Sequence, residues 1–389
     1  MFSHRTSWKL TPNALTLAQR ELAEAGREVL DLAASNPTRV GITYDGETIL
    51  GSLTQAAGLN YDPQPKGLSA ARQAVANYYR EQHDAFSVDA EKIILTASTS
   101  EAYSYLFHLL CNAEDEVLVP KPSYPLFDFL AELADVKLVP YPLIYDHGWQ
   151  IDFASLYKAV THRTRAIVLV HPNNPTGSYV RDNELAPLNA FCGEYNLALI
   201  ADEVFLDYAH DGADRPTFAA NRDVLTFTLS GLSKISALPQ MKISWIVSSG
   251  PEDRVAAAME RLEIIADTFL SLSVPAQLAT PVLLEQRKHI QPLLLDRLRV
   301  NREELDRQLR GSSCKRLDVE GGWYAVLRVP VTQSDDELAI RILRGCSVLV
   351  HPGHFYDFPQ DGFLILSLIT PSDIFREGVR GILSLVDSE

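Results

Sequence analysis

Short runs of apolar and β-branched residues recur between about residues 60 and 280. They lie at 92–97, 116–120, 166–171, 197–202, 224–230 and 243–249. Segments with apolar positions three or four residues apart accompany them, as at 68–82 and 183–196. Alternation of strands and helices predicts an α/β fold with a mainly parallel sheet covered by helices on both faces.

The pattern changes after about residue 280. A long, charged, amphipathic stretch covers 281–309, and short strand-like runs and a last helical segment follow it. We therefore predict a large domain at 51–280 and a smaller α+β domain at 281–389, which residues 1–50 join.

Composition excludes several classes of protein. Of the 389 residues, 46% are hydrophobic and 22% are charged, which is typical of a globular chain with a core. The formal net charge of −15 and the lack of any Lys/Arg run argue against nucleic acid or an anionic membrane as a partner. No apolar run approaches the roughly 18 residues that a membrane-spanning helix needs.

The N-terminus and the cysteines predict a cytoplasmic protein. The first 26 residues lack the apolar stretch of a signal peptide. The four cysteines are isolated, which favours a reducing compartment and no zinc site. His351 and His354 have metal-ligand spacing, but Pro352 and Gly353 between them prevent a helix, and no metal is predicted.

Polar residues follow the predicted strands at the point where each ends. They are Ser98–Thr99–Ser100, Lys121 to Tyr124, His171 to Gly177, Asp202, and Ser233–Lys234. In open α/β sheets, ligands bind beyond the carboxyl ends of the strands. An amine, an acid and several donors at one edge are what a pyridoxal phosphate site requires.

Three motifs carry a family resemblance. HPNNPTG at 171–177, ADEVF at 201–205 and SGLSK at 230–234 occur in this order. With them, the sequence resembles the fold type I pyridoxal-phosphate enzymes of the class I/II aminotransferase family over nearly its whole length. The resemblance implies a PLP-transferase fold type I architecture, a cofactor-binding domain at 51–280, and pyridoxal 5'-phosphate as cofactor.

The resemblance assigns roles around the cofactor ring. Lys234 corresponds to the Schiff-base lysine and catalytic base, and Asp202 to the acid that pairs with the ring nitrogen. Asn174 corresponds to the donor to the phenolic oxygen, although an Asn-Pro turn also explains it. Tyr124 corresponds to the aromatic residue that stacks on the ring, and the alternative is an ordinary core tyrosine.

Phosphate contacts are predicted at two places. Ser98, Thr99 and Ser100 open a helix, where backbone amides bind phosphate, but Ser98 and Glu101 also have capping-box spacing. Ser230 and Ser233 are further candidates, and the sequence does not choose between them.

Tyr61 resembles a family tyrosine that reaches the phosphate of a partner subunit. A homodimer with composite sites would follow. The alternative is a turn tyrosine close to Pro63 and Pro65.

The chain departs from the family pattern at three positions. Lys242 stands where the family usually has a phosphate-binding arginine, and it keeps the charge without the bidentate fork. Phe205 replaces a tyrosine that donates to the phenolic oxygen. Ile365 occupies the position of the arginine that clamps the substrate carboxylate.

The third departure bears on the substrate. Arg39, with Asn36 in the same SNPTR segment, is a predicted substitute, although a solvated loop charge explains Arg39 equally well. Without a substitute, aspartate, glutamate and aromatic amino acids are expected to react weakly.

The predicted activity is therefore amino-group transfer between an amino acid or amine and an oxo acid. Because Ile365 replaces the arginine, a pyridoxal-phosphate lyase, decarboxylase or racemase-like enzyme, or an amine transaminase, remains an alternative. A cofactor-sensing regulator would need a DNA-binding module and a basic surface, and the sequence shows neither.

Overall fold

The computed structural model describes residues 1–83, 86–124 and 127–388. The strands are β1 (Leu30–Asp31), β2 (Ile93–Thr96), β3 (Glu116–Lys121), β4 (Lys137–Tyr145), β5 (Trp149–Ile151), β6 (Thr164–Val170), β7 (Ala198–Asp202), β8 (Thr226–Gly231), β9 (Ser244–Ser249), β10 (Lys315–Arg316), β11 (Tyr324–Arg328), β12 (Val348–Leu349), β13 (His351–Pro352) and β14 (Phe363–Ser367).

The helices account for most of the segments between the strands. They are α1 (Ala14–Glu24), α2 (Gly46–Ser52), α3 (Ser69–Gln82), α4 (Thr99–Leu110), α5 (Phe127–Leu133), α6 (Phe153–Ala159), α7 (Asp182–Tyr195), α8 (Leu232–Ile235), α9 (Glu252–Phe269), α10 (Val274–Glu285), α11 (Arg287–Gln308), α12 (Asp335–Cys346) and α13 (Ser372–Val386).

An eight-stranded sheet forms the centre of the molecule, in the order β2-β9-β8-β7-β6-β3-β4-β5. The five adjacent strands β8, β7, β6, β3 and β4 are parallel, whereas β9 and β5 run antiparallel to their neighbours. The central strands β7, β8 and β9 are buried at every residue. Their continuous apolar runs fit a sheet with two covered faces.

Separate apolar cores cover the two faces of that sheet. One core joins alternate residues of the strands to α4 and α9, and includes Tyr103 and Leu262. Another lies on the opposite face under α6 and α7, and includes Leu156 and Phe191. The sequence-based prediction of a mainly parallel sheet between helical layers is confirmed.

A second region is built on an antiparallel sheet in the order β10-β11-β14-β13. The N-terminal strand β1 pairs in parallel with β12, so that Leu30 lies opposite Val348. Helix α1 packs on α12, and α11 packs on α13. The predicted stretch 281–309 begins inside α10 and continues as α11, with residue 286 between the two helices.

Neither a membrane span nor a metal cluster is found among the described residues. In those ranges, each helix is too short or too polar to cross a bilayer. The same ranges contain no group of three or more His, Cys, Asp or Glu side chains placed to hold a metal ion.

Candidate active site

The carboxyl ends of β6, β7 and β8 bring three motif residues to one edge of the central sheet. Val170 at the end of β6 lies opposite Asp202 at the end of β7, and Asp202 lies opposite Leu229 of β8. Asn174 follows β6 by four residues, and Lys234 lies on the one-turn helix α8 directly after β8. Neighbouring parallel strands end at the same edge, which explains the convergence.

Lys234 is held in an aromatic setting. Its Nζ lies 4.6 Å from the centroid of the Trp323 ring and 5.4 Å from that of Phe205. The main-chain carbonyl of Lys234 accepts a hydrogen bond of 2.7 Å from the hydroxyl of Tyr208. Burial lowers the pKa of the Lys234 amine to about 8, against a smaller rise caused by Asp202. Near neutral pH a useful fraction of this amine is therefore uncharged and nucleophilic.

Asp202 is buried, with 8% of its surface exposed. Its Oδ2 accepts a hydrogen bond of 3.1 Å from the Tyr103 hydroxyl, and its Oδ1 accepts one of 3.2 Å from the Val204 amide. Burial raises the pKa of Asp202 to about 6, although these two hydrogen bonds and the charge of Lys234 oppose the rise. A cationic ring nitrogen beside this carboxylate would offset the desolvation.

The loop after β6 leaves amide atoms without partners. Asn173 accepts hydrogen bonds through Oδ1 from the Thr176 hydroxyl at 2.9 Å and through its carbonyl from the Gly177 amide at 2.7 Å. In contrast, Asn173 Nδ2 and Asn174 Oδ1 are buried and have no hydrogen-bond partner among the described residues. Unpaired buried amide atoms call for a ligand group or water beside them. Together with Lys234 and Asp202, this loop fits the pyridoxal ring that the sequence predicts.

Tyr124 lies close to this group, at the end of the segment after β3. Partial burial raises the pKa of its phenol, and the carboxylate of Asp202 adds to the rise. The Ser123 amide donates a 2.9 Å hydrogen bond to the carbonyl of Tyr356. Of the Tyr124 surface, 44% is exposed, so the ring lies open at the edge of the site.

The structure separates the candidates at the start of α4. The Ser98 hydroxyl accepts a 3.2 Å hydrogen bond from the Glu101 amide, so it caps the helix. The Glu101 carboxylate accepts from the Ala97 amide at 2.7 Å and not from that of Ser98, so only half of the alternative capping box is formed. Thr99 and Ser100 are the first two residues of α4, where backbone amides have no partner within the helix. Their amides remain the predicted phosphate donors.

The other phosphate candidates differ in accessibility. Ser230 is 2% exposed, and its hydroxyl donates a 3.4 Å hydrogen bond to the carbonyl of Glu203. Ser233 is half-buried on α8, next to Lys234. Lys242 is exposed in a left-handed conformation with φ 54°, after the turn Pro239–Met241. This arrangement favours Ser233 over Ser230.

Tyr61 projects from the surface, with 77% of it exposed. It lines a cleft of about 310 Å³ between the segments 58–65 and 270–277. Exposed aromatic residues of this size are frequent at subunit interfaces. The position is therefore suited to a contact outside its own chain.

The N-terminal candidates do not contact the motif residues in any described hydrogen bond. Asn36 Oδ1 accepts from the amide and the hydroxyl of Thr38 at 3.0 and 2.7 Å, which caps the short turn Pro37–Arg39. Arg39 is exposed, and its guanidinium has no described hydrogen bond or ion pair. Asn36 therefore has a local role as a cap, and Arg39 is a solvent-exposed loop charge.

Ile365 lies in the middle of β14 and is 1% exposed. It is directly opposite Val326 of β11 on one side and His351 of β13 on the other. Burial lowers the pKa of His351, and the charge of Asp31 acts against this fall. His351 Nδ1 lies 3.1 Å from the hydroxyl of Tyr356. At the position of the family arginine there is thus a wall without a cationic side chain, formed by Ile365, Val326 and His351.

Sequence reasoning missed Tyr103 and Trp323. Tyr103 follows Ser98 by five residues on the buried face of α4, and no motif marks it. Trp323 is fully buried, and its ring also contacts Lys234. Two glycines before Trp323, of which Gly322 has a φ of 80°, were the available signal of a special backbone there.

Comparison with known proteins agrees with this geometry. Residues 45–374 match the family described as aminotransferase class I and II. The chain is 30% identical over 358 residues to the glutamate-pyruvate aminotransferase AlaA of Haemophilus influenzae, which covers 89% of this chain and 88% of that protein. It is 28% identical over 366 residues to AlaA of Escherichia coli, covering 91% and 90%.

Solved structures show the same fold. An alanine aminotransferase from Pyrococcus furiosus superimposes with a TM-score of 0.89 at 24% identity, over all of both chains. An aminotransferase from Escherichia coli gives 0.86 at 25% identity, over 99% of this chain and 98% of the other. This chain belongs to the class I and II aminotransferases.

Proposed function

We propose that this aminotransferase holds pyridoxal 5'-phosphate covalently on Lys234 and exchanges amino groups between amino acids and oxo acids. The observation that carries the proposal is the pairing of opposite pKa shifts at adjacent strand ends. The pKa of Lys234 is lowered to about 8, and that of Asp202 is raised to about 6. Neighbouring groups whose pKa values are strongly shifted by burial are typical of functional sites.

The cofactor is assigned to residues 51–280, because every residue that would hold its ring and phosphate lies there. When bound, it supplies an electron sink that stabilises negative charge at the substrate α-carbon. Asp202 would hold the ring nitrogen in its protonated form, with Tyr103 fixing the carboxylate. Asn174 would orient the ring by donating from its side-chain amide nitrogen to the phenolic oxygen, as the family resemblance implies.

Lys234 is proposed to act as the general base. Its lowered pKa leaves Nζ able to accept the α-proton of a bound amino acid near neutral pH. The rings of Trp323 and Phe205 border Nζ and reduce its contact with water. Hydrogen bonding of the Tyr208 hydroxyl to the carbonyl of Lys234 fixes the backbone that carries the base.

The substrates are proposed to be small amino acids and oxo acids. The names of the relatives make alanine and pyruvate the first compounds to test, with glutamate as the comparison, because the missing arginine predicts glutamate to be a weak donor. The wall formed by Ile365, Val326 and His351 offers no cation to a carboxylate. Binding of such substrates therefore depends on a contact other than the family arginine.

A homodimer is also part of the proposal. Tyr61 is exposed beside an open cleft, which supports a role in a partner's phosphate site.

A cytoplasmic location is proposed as well. The four cysteines form no disulfide, which is consistent with a cytoplasmic location.

Borohydride reduction followed by peptide mass mapping tests the cofactor assignment. The expected adduct lies on Lys234 and is absent from Lys234→Ala, whereas Lys158→Ala, at an exposed lysine of α6, keeps it. Single amino acids are then mixed with the holoenzyme, and conversion of the cofactor to its amine form is followed by absorbance. An adduct on a different lysine, or no donor that converts the cofactor, would refute the proposal.

A further inference from the structure

A cavity of about 350 Å³ lies away from the cofactor residues, where the β4–β5 turn faces β10 and the loop that follows it. Its walls include His147, Trp149 and Ser178 on one side and Arg302, Arg316 and Asp318 on the other. None of the residues predicted to contact the cofactor lines it. The volume falls within the usual range for small-molecule pockets, which begins at about 300 Å³.

Arg302 brings an unpaired positive charge into this cavity. The residue lies on α11 and is half-buried, and its guanidinium has no described hydrogen bond or ion pair. The nearby Asp306 makes no described hydrogen bond to Arg302, and both of its carboxylate oxygens accept from Arg316, at 2.7 and 2.9 Å. Burial lowers the pKa of Arg302, and the charge of Arg316 lowers it further. The charges of Asp306 and Glu303 still act to raise the pKa of Arg302. A half-buried guanidinium without an acceptor favours an anionic group beside it.

A second unpaired donor belongs to the same walls. Trp149 is 6% exposed, and its Nε1 is buried without a hydrogen-bond partner. Indole nitrogen only donates, so this position also calls for an acceptor. Trp149 thus adds a donor without a described acceptor to the wall of the cavity that Arg302 lines.

Negative charge lies on the same cavity. Asp318 and Glu320 both line it and are exposed. Glu320 Oε2 accepts a 3.1 Å hydrogen bond from the Tyr179 amide, while the Asp318 carboxylate has no described partner. These acids disfavour a ligand that is wholly anionic and favour one that carries a cationic group as well.

We propose that this cavity is a second ligand site, separate from the catalytic site, for a small zwitterionic amino acid. Its carboxylate binds Arg302, and its ammonium group faces Asp318 and Glu320.

The cavity is connected to the catalytic loop through the backbone. The amides of Glu320 and Gly321 both donate to the carbonyl of Gly177, at 3.2 and 2.9 Å. Gly177 ends the motif that contains Asn174, and a Cβ at Gly177 would lie 2.3 Å from Val319 of the cavity wall. A ligand against this wall thus contacts the segment that fixes the position of the loop.

Titration calorimetry of the holoenzyme with N,N-dimethylglycine tests the proposal. This probe has a carboxylate and an ammonium N–H, but as a tertiary amine it forms no imine with an aldehyde. We expect saturable binding with one probe per chain. The substitution Arg302→Met should weaken binding of the probe about tenfold or more, since a charge-assisted hydrogen bond is lost. Arg310→Met, at an exposed arginine just past the end of α11, is the matched control and should bind as the wild type does.

Two further experiments test whether the ligand must carry both a carboxylate and an ammonium group. Acetate, which carries only the carboxylate, should bind more weakly than dimethylglycine. The double variant Asp318→Asn, Glu320→Gln should reduce that preference. If Arg302→Met lowers cofactor absorbance and is misfolded, Arg302→Lys takes its place and should bind with intermediate affinity.

Three results would overturn the proposal. They are no saturable binding to the wild type, equal affinity of the wild type for acetate and dimethylglycine, and dimethylglycine binding that is unchanged in a folded Arg302 variant.

Discussion

The hydroxyl of Tyr103 donates a hydrogen bond to Asp202 Oδ2 across 3.1 Å. Tyr103 lies on α4, whose first residues are the predicted phosphate donors, and Asp202 ends β7. One helix therefore connects the phosphate end of the proposed cofactor site with the acid for the ring nitrogen. Movement of α4 would disturb both ends together.

Replacing Tyr103→Phe should weaken cofactor binding and lower kcat, each by about threefold to tenfold, the effect of one hydrogen bond. Without the donor, the pKa of Asp202 should rise further, because this bond acts to lower it. Cofactor affinity is measured by absorbance titration of the apoenzyme. Tyr141→Phe, which removes another buried hydroxyl bonded to the carbonyl of Val168, is the control. Equal effects of the two variants would contradict a specific role.

Covalent reaction of the apoenzyme with pyridoxal phosphate should accelerate as pH rises through about 8, the pKa that burial gives Lys234. Rates are measured by borohydride trapping at each pH. The same shift affects stability. The folded pKa is lower than the unfolded value of 10.5, so the contribution of Lys234 to stability rises with pH between about 8 and 10.5. A trapping rate that stays low until about pH 10 would show that the amine is not perturbed.

In the apoenzyme, the contribution of Asp202 to folding stability changes with pH in the opposite direction to that of Lys234. Its folded pKa of about 6 exceeds the ordinary value of 3.8, so its contribution to stability is present at low pH and is lost as pH rises through about 6. Asp202→Asn should remove this pH dependence from the apoenzyme and should also lower kcat of the holoenzyme by about 100-fold or more. Denaturant unfolding at several pH values measures the first effect, and steady-state kinetics the second. An apoenzyme whose pH dependence survives in Asp202→Asn would contradict the assignment.

The wild type should transaminate aspartate, glutamate and aromatic amino acids weakly, because Ile365 leaves their carboxylate without its usual arginine. If Arg39 substitutes, Arg39→Ala should raise KM for carboxylate-bearing donors and leave amines unaffected. Rates near the typical enzyme value of about 10 per second with aspartate or glutamate would refute the expectation.

Installing the arginine by Ile365→Arg should destabilise the protein by about 3–5 kcal/mol unless a carboxylate pairs with it. Ile365 is 1% exposed and lies between Val326 and His351. Neither of these side chains carries a negative charge that could pair with an arginine. Thermal unfolding measures the loss of stability. Repeating the measurement with a dicarboxylate present shows how much of that loss the ligand reverses. Ile365→Leu is the control for packing.

Mixing Tyr61→Phe with Lys234→Ala should restore activity through heterodimers that contain one intact site. Tyr61 is 77% exposed and so can contact another chain. Activity is measured on heterodimers isolated by two affinity tags. Recovery is not expected if each site is complete within one chain, so its absence in confirmed heterodimers would contradict shared sites.

Local motifs were sufficient to predict the family, the aminotransferase activity and the fold class, all of which are confirmed. Asn174, Asp202 and Lys234 each lie at the end of a strand or within four residues after it. Neighbouring parallel strands must end at one edge, so sequence position alone brings them together. The Ser98 cap is similarly local, because its S-x-x-E spacing spans one helical turn. The domain boundaries and the phosphate contacts remain predictions.

Tertiary structure decided the contacts between distant segments. Tyr103 and Asp202 are 99 residues apart in the chain, and their hydrogen bond depends on how α4 packs on the sheet. Trp323 reaches Lys234 only because the loop before β11 lies against the loop at Gly177. Among the described residues Arg302 has no hydrogen bond or ion pair, while both oxygens of Asp306, one turn further along α11, accept from Arg316. Such relationships are set by packing between elements, and periodicity or spacing along the chain carries no record of them.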